Sequence, residues 1–135
     1  MKKLLIGTFA SAVLASCSTM GTTAAKVGTQ QASVANTGWS LAENVKGNRP
    51  TLNIESGKIS GNAGCNRYFG NVNLDTSTGT FTTSNVGSTK MACEYMNTEQ
   101  AYLNALSEAN KYVVSNNVLE LYKDKLLLLK FNRTK

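Results

Sequence analysis

Histidine is missing from this 135-residue chain. Its absence excludes Ser-His-Asp and Cys-His nucleophilic catalysis and every His-ligated metal site. Proline occurs once, at Pro50, and tryptophan once, at Trp39. The cysteines, Cys17, Cys65 and Cys93, contain no C-x-x-C pair, which argues against a thioredoxin-like redox centre. No apolar run approaches the roughly 20 residues that a bilayer-spanning helix needs. The 14 basic residues outnumber the 8 acidic ones, but they are scattered and form no stripe. Nucleic acid is therefore not an expected partner, and no cofactor is expected.

What is present begins at the amino end. Met1-Lys2-Lys3 is followed by an apolar stretch over residues 4–14 and then by Leu14-Ala15-Ser16-Cys17. A basic start, a short apolar core and small residues before a cleavage point are the parts of a secretory leader. The cysteine directly after them resembles the processing site of bacterial lipoproteins. The resemblance implies a signal peptide over residues 1–16 and Cys17 as the first mature residue. Cys17 would carry a diacylglycerol on sulfur and a fatty acid such as palmitate on nitrogen. Each buried methylene contributes about 0.8 kcal/mol, and several chains together hold a protein at a membrane. Ser18 stands where an Asp would signal inner-membrane retention in Gram-negative lipoproteins, so the expected location is the outer membrane, facing the periplasm.

Residues 18–36 are rich in Ser, Thr, Ala, Gly and Gln, with Lys26 as their only charge. That composition offers little apolar surface, so residues 17–36 are expected to be a lipidated, flexible tether. One small domain, residues 37–135, follows. With Cys17 acylated, Cys65 and Cys93 form an even pair, too few for a structural zinc site. In an oxidising compartment such a pair tends to bridge. The bridge would close a loop of about 29 residues and contribute about 3–4 kcal/mol in the chain-entropy model. Two separate buried thiols are the alternative.

Alternation predicts short strands around Trp39 and Leu41 and over residues 51–55, 58–60, 66–74 and 80–84. Ser56-Gly57 predicts a hairpin turn, and Asn116-Asn117 a second one between residues 112–114 and 118–122. The continuous apolar run 126–131 predicts a strand buried on both faces. A helix is expected over residues 97–109. Asn97 and Gln100 would cap it, and Tyr102, Leu103, Leu106 and Ala109 form its apolar stripe. Glu94 and Glu99 near its start would favour the helix dipole. The expected fold is α+β: a curved antiparallel sheet or partial barrel of about seven to eight strands, closed by one helix.

Two stretches resemble a known family. Gly61-Asn62-Ala63-Gly64-Cys65-Asn66-Arg67-Tyr68-Phe69-Gly70 is similar to the G-x-x-G-C-N-x-[FY]-x-G signature of META-domain proteins, the family of the bacterial heat-shock protein HslJ. Ser88-Thr89-Lys90-Met91-Ala92-Cys93 is similar to their T-[KR]-M-A-C signature. Gly38-Trp39-Ser40-Leu41 and Glu99 fall in the same order. The resemblance covers about residues 37–132 and implies a pilotin-like sheet curved around a helix. It also implies roles in stress response or antibiotic tolerance, and it implies no reaction. Within the signatures, Gly61, Gly64 and Gly70 suit tight turns or close backbone approach. Asn66 suits local backbone bonding, and Thr89, Lys90 and Met91 lead into the second cysteine. The expectation is a non-enzymatic envelope lipoprotein that works through a protein partner; the alternative is a binder of lipid tails or other hydrophobic ligands.

Overall fold

The computed structural model describes residues 23–135. The expected leader and Cys17 lie outside the described residues. A short 3-10 turn, Thr23–Lys26, precedes eight strands and one helix: β1 (Thr37–Leu41), β2 (Thr51–Ile54), β3 (Lys58–Asn62), β4 (Arg67–Asp75), β5 (Thr80–Ser88), α1 (Met96–Glu108), β6 (Lys111–Ser115), β7 (Val118–Lys123) and β8 (Leu126–Arg133). Neighbouring strands are antiparallel throughout, and β8 pairs with β1. The expected curved sheet thus closes into a barrel, and the class is α+β.

Period-two patterning sets which side chains enter the barrel. Leu52 and Ile54 point inward on β2 while Asn53 is exposed. On β4, Tyr68 and Val72 are buried, whereas Arg67, Phe69 and Asn71 face out. Trp39, Ile59, Phe81, Tyr112, Leu119, Leu121 and Phe131 complete a filled apolar interior. An apolar inside and a polar outside is the reverse of a transmembrane barrel. Among the described residues, no helix is long and apolar enough to cross a membrane. The tight turns use positive φ where Ser56-Gly57 and Asn116-Asn117 predicted them, at Gly57 (φ 78°) and Asn116 (φ 50°).

The ladder is uneven. β5 and β6 share one register pair, Thr80↔Lys111, so the two strands slip past each other. Different segments cover the two edges left over. On the β5 side, α1 packs against β5 and β8 and buries Tyr102 and Leu106; Thr83 donates its hydroxyl to the Leu106 carbonyl at 3.5 Å. On the β6 side, the Val114 amide donates to Gln31 Oε1 at 3.1 Å, and the Tyr112 hydroxyl donates to the Ala32 carbonyl at 2.9 Å. The Gln31 amide donates to Thr76 O at 2.8 Å, and Val34 is fully buried. Residues 31–34 therefore belong to the packed domain, and the tether expected over residues 17–36 does not reach residue 36. The Gln31 backbone and side chain, the Ala32 carbonyl and one valine suffice to dock a polar segment whose composition argued for flexibility.

Two local expectations are corrected. The strand buried on both faces is β7, where Leu119, Glu120, Leu121 and Tyr122 are all buried. The β8 run instead opens with Leu126 (65% exposed) and Leu127 (44% exposed) at the hairpin, and it alternates only from Leu129 to Phe131. Its pairing with β7 shifts register between Leu121 and Tyr122. The helix begins at Met96 with Tyr95 as N-cap and no side-chain cap bond, so the Asn97–Gln100 capping box does not form. Tertiary ties hold the helix start instead: Cys93 ahead of it and Glu99 inside its first turn. Ala109 sits just past the helix end as its C-cap and is buried.

Candidate functional site

Both signature stretches converge on one side of the barrel, around Asn66 and the start of α1. Cys65 and Cys93 are joined in a disulfide with their Cα atoms 6.0 Å apart, resolving the two alternatives open in the sequence. Cys65 is buried and Cys93 exposed. The bridge pins the chain after β5 against the chain before β4.

Asn66 is the centre of the arrangement and is 1% exposed. Its backbone amide donates to Glu99 Oε1 at 2.6 Å, and its Nδ2 donates to Glu99 Oε2 at 2.8 Å. Nδ2 also donates to the Met91 carbonyl at 3.0 Å. Oδ1 accepts from the Met91 amide at 2.7 Å and from the Thr89 hydroxyl at 2.9 Å. The amide side chain thus mimics a strand partner for residue 91 and clasps a carboxylate from the helix. Glu99 is 5% exposed. A buried carboxylate is tolerated where hydrogen bonds satisfy it, and two donors from one asparagine do so here. Among the described residues, no buried side-chain N or O atom lacks a partner.

The glycines of the first signature carry separate constraints. A Cβ on Gly61 would lie 2.2 Å from the Thr51 carbonyl oxygen, so only glycine lets β3 pass there. Gly64 adopts φ 121°, a backbone state that L side chains rarely take. Gly70 sits at the register shift between Phe69 and Asn71, where a Cβ would meet Val86 Cγ2 at 2.9 Å. Beneath them, the Tyr68 hydroxyl lies 2.7 Å from the Tyr102 hydroxyl and 2.6 Å from the Thr51 carbonyl. Burial pushes the Tyr68 phenol well above 10, and the hydrogen bond to Tyr102 moderates this. Burial also pushes Tyr102 well above 10, reinforced by the neighbouring Tyr68. Both stay protonated as structural donors.

The remaining predicted residues separate from this cluster. Lys90 is exposed, its ammonium 3.5 Å from the Ser88 hydroxyl. Met91 contributes only its backbone, and its side chain is 59% exposed. Trp39 is buried in β1; its Nε1 donates to the Thr37 hydroxyl at 2.7 Å, and the Arg133 guanidinium lies 4.6 Å from its ring centroid. Reading by residue type missed the pairing of Glu99 with Asn66. The available signal was position: Glu99 shares the helix stripe of Tyr102 and Leu106 at i, i+3 and i+7, and so faces inward. Among the described residues, no group of three or more His, Cys, Asp or Glu side chains could hold a metal.

The geometry defines a class first: a small, disulfide-stapled antiparallel barrel whose signature residues lock one helix to one strand end. The chain belongs to the META domain family, whose model matches residues 30–135. An NMR structure of a protein from Burkholderia xenovorans is similar over 74% of this chain and 83% of its own, with 29% identity and a TM-score of 0.62. A second NMR structure covers 72% of this chain and 88% of its own at 21% identity and a TM-score of 0.56, and it shares the fold. No curated protein matches the chain.

Proposed function

We propose that this META-domain protein is a non-enzymatic lipoprotein of the bacterial envelope that acts by binding a protein partner under envelope stress or antibiotic challenge. Residues 1–16 are the signal peptide, and Cys17 carries the acyl chains that hold the protein at the outer membrane, facing the periplasm. The observation that carries the contact role is the use of the signature residues. Asn66, Glu99 and Thr89 spend their hydrogen-bonding groups on one another and on the backbone of residue 91. They hold a scaffold together and leave no poised nucleophile or base among themselves. The bridge between Cys65 and Cys93 fits an oxidising compartment. The alternative of a lipid tail inside the barrel is disfavoured, because Trp39, Tyr68, Phe81, Tyr112 and Phe131 already fill that space.

Fractionation tests the anchor. Cys17→Ser should move the protein from the membrane to the soluble fraction, and an unchanged distribution would refute lipidation. Crosslinking in stressed cells tests the contact role: a discrete protein adduct should form with the anchored wild type. Turnover of an envelope substrate by the purified protein would overturn the non-enzymatic assignment.

A further inference from the structure

The outer face of β2–β5 carries an arrangement that the fold does not require. Cross-strand register places Asn53, Ser60, Phe69 and Gly87 in one row, each directly opposite the next. Register partners on one face point the same way, so the row lies on the outside of the barrel. Phe69 is 60% exposed. A Cβ on Gly87 would meet its ring carbons at 3.3 and 3.4 Å, so the ring leans across the glycine and leaves the rest of its surface to solvent. A groove of about 490 Å³ lies on one side of the ring, lined by Asn53, Ser60 and Arg67 among others. A second, of about 330 Å³, lies on the other side and includes Lys58 and Asn71. Arg67 and Asn71 stand two residues before and after Phe69 on β4, about 7 Å away along the strand. Lys58 is the register partner of Asn71.

We propose that this face binds an oligosaccharide bearing carboxylates. A pyranose ring has an apolar C–H face, a rim of hydroxyls and a length close to the spacing found here. Phe69 supplies the stacking surface. Asn53, Ser60 and Asn71, which make no side-chain hydrogen bond within the described residues, supply donors and acceptors for hydroxyls. Arg67 and Lys58 flank the ring and favour uronate-type carboxylates, with Arg67 able to engage one through two donors. Glu55 beside Lys58 tempers the charge and disfavours a plain polyanion surface. One aromatic ring among amides, a hydroxyl and two cations is too polar for the apolar centre of a protein interface. The proposal goes beyond the partner-binding role and does not depend on the lipid anchor.

The test is a titration of the 15N-labelled full-length protein with tetragalacturonate and, separately, with tetra-N-acetylchitotetraose. Tetragalacturonate should shift the amides of Ser60, Phe69 and Gly87 in a saturable way, and the neutral tetramer should bind more weakly. Phe69→Ala should lose about tenfold or more in affinity for tetragalacturonate, and Phe69→Tyr should retain it. Arg67→Gln should narrow the gap between the two sugars. Unchanged near-ultraviolet dichroism confirms that the variants are folded. No shifts at millimolar sugar, shifts confined to other surfaces, or equal binding by wild type and Phe69→Ala would overturn the proposal. Displacement by inorganic polyphosphate with no dependence on Phe69 would also overturn it, as a charge effect only.

Discussion

The two edges left open where β5 slips past β6 are covered in opposite ways. The helical cover is built from specific chemistry. It combines a disulfide, a buried carboxylate clasped by Asn66, and tyrosine hydroxyls shared between β4 and α1. The amino-terminal cover is built from the Gln31 backbone and side chain, the Tyr112 hydroxyl on the Ala32 carbonyl and one buried valine. The first gathers most of its side chains in two contiguous signatures and shows as a motif; the second draws on Gln31 and Val34 within a polar stretch and shows as nothing in composition. A fold can thus rest on a segment that looks like a linker.

That contrast can be broken from either side, and the largest effect is expected at the helix. Asn66→Ala leaves the backbone amide on Glu99 Oε1 but removes every side-chain bond of Asn66, to Glu99 Oε2, the Met91 backbone and the Thr89 hydroxyl. With several buried partners left unsatisfied at about 1–3 kcal/mol each, it should cost about 3–5 kcal/mol in all. Urea unfolding would measure it, and a loss below about 1 kcal/mol would show that water replaces the asparagine. Next comes the bridge: Cys65→Ser with Cys93→Ser should cost about 3–4 kcal/mol in the same assay. Val34→Ala probes the other cover and should cost about 2 kcal/mol, since it removes two buried methyl groups and leaves a cavity. If Val34→Ala proves as damaging as Asn66→Ala, the two covers are energetic equals and the contrast fails.

The effect that is smallest at neutral pH, where both phenols are protonated in native and unfolded chain alike, is alkaline. The folded-state pKa values of Tyr68 and Tyr102 are raised above 10, so native protein keeps protons that the unfolded chain gives up. Their contribution is fully present below pH 10 and is lost as pH rises beyond it, by up to about 1.4 kcal/mol per pH unit for each tyrosine. Tyrosinate absorbance should therefore show phenols that ionise only when the barrel unfolds. Ionisation of all five near pH 10 in a folded protein would contradict the burial of this pair.

Much of the architecture was legible because strands advertise themselves by alternation. The faces of β2 and β4 and the inward Leu119 and Leu121 follow directly from period two, and the hairpins at Gly57 and Asn116 from their turn residues. The β8 leucines misled because an apolar run does not say where a barrel ends, and Leu126 and Leu127 fall at its rim. The Asn97 cap misled because local capping competes with tertiary ties, and here the ties at Cys93 and Glu99 prevailed. The Asn66–Glu99 clasp was half legible. Both residues stood in view, but their pairing spans 33 positions, and no local rule joins them. The outward row through Phe69 was hidden because it exists only after register aligns four strands.

The β1–β8 ladder has a mechanical consequence. Trp39 faces Arg133, and the Gly38 and Thr134 backbones bond each other nearby, so the first strand starts where the last one finishes. Tension applied through Thr37 and Arg133 would therefore load those hydrogen bonds one after another, as a zipper, and not all at once in shear. Force arriving along the polypeptide should peel this barrel open from its terminal strands while the stapled helix end is still intact.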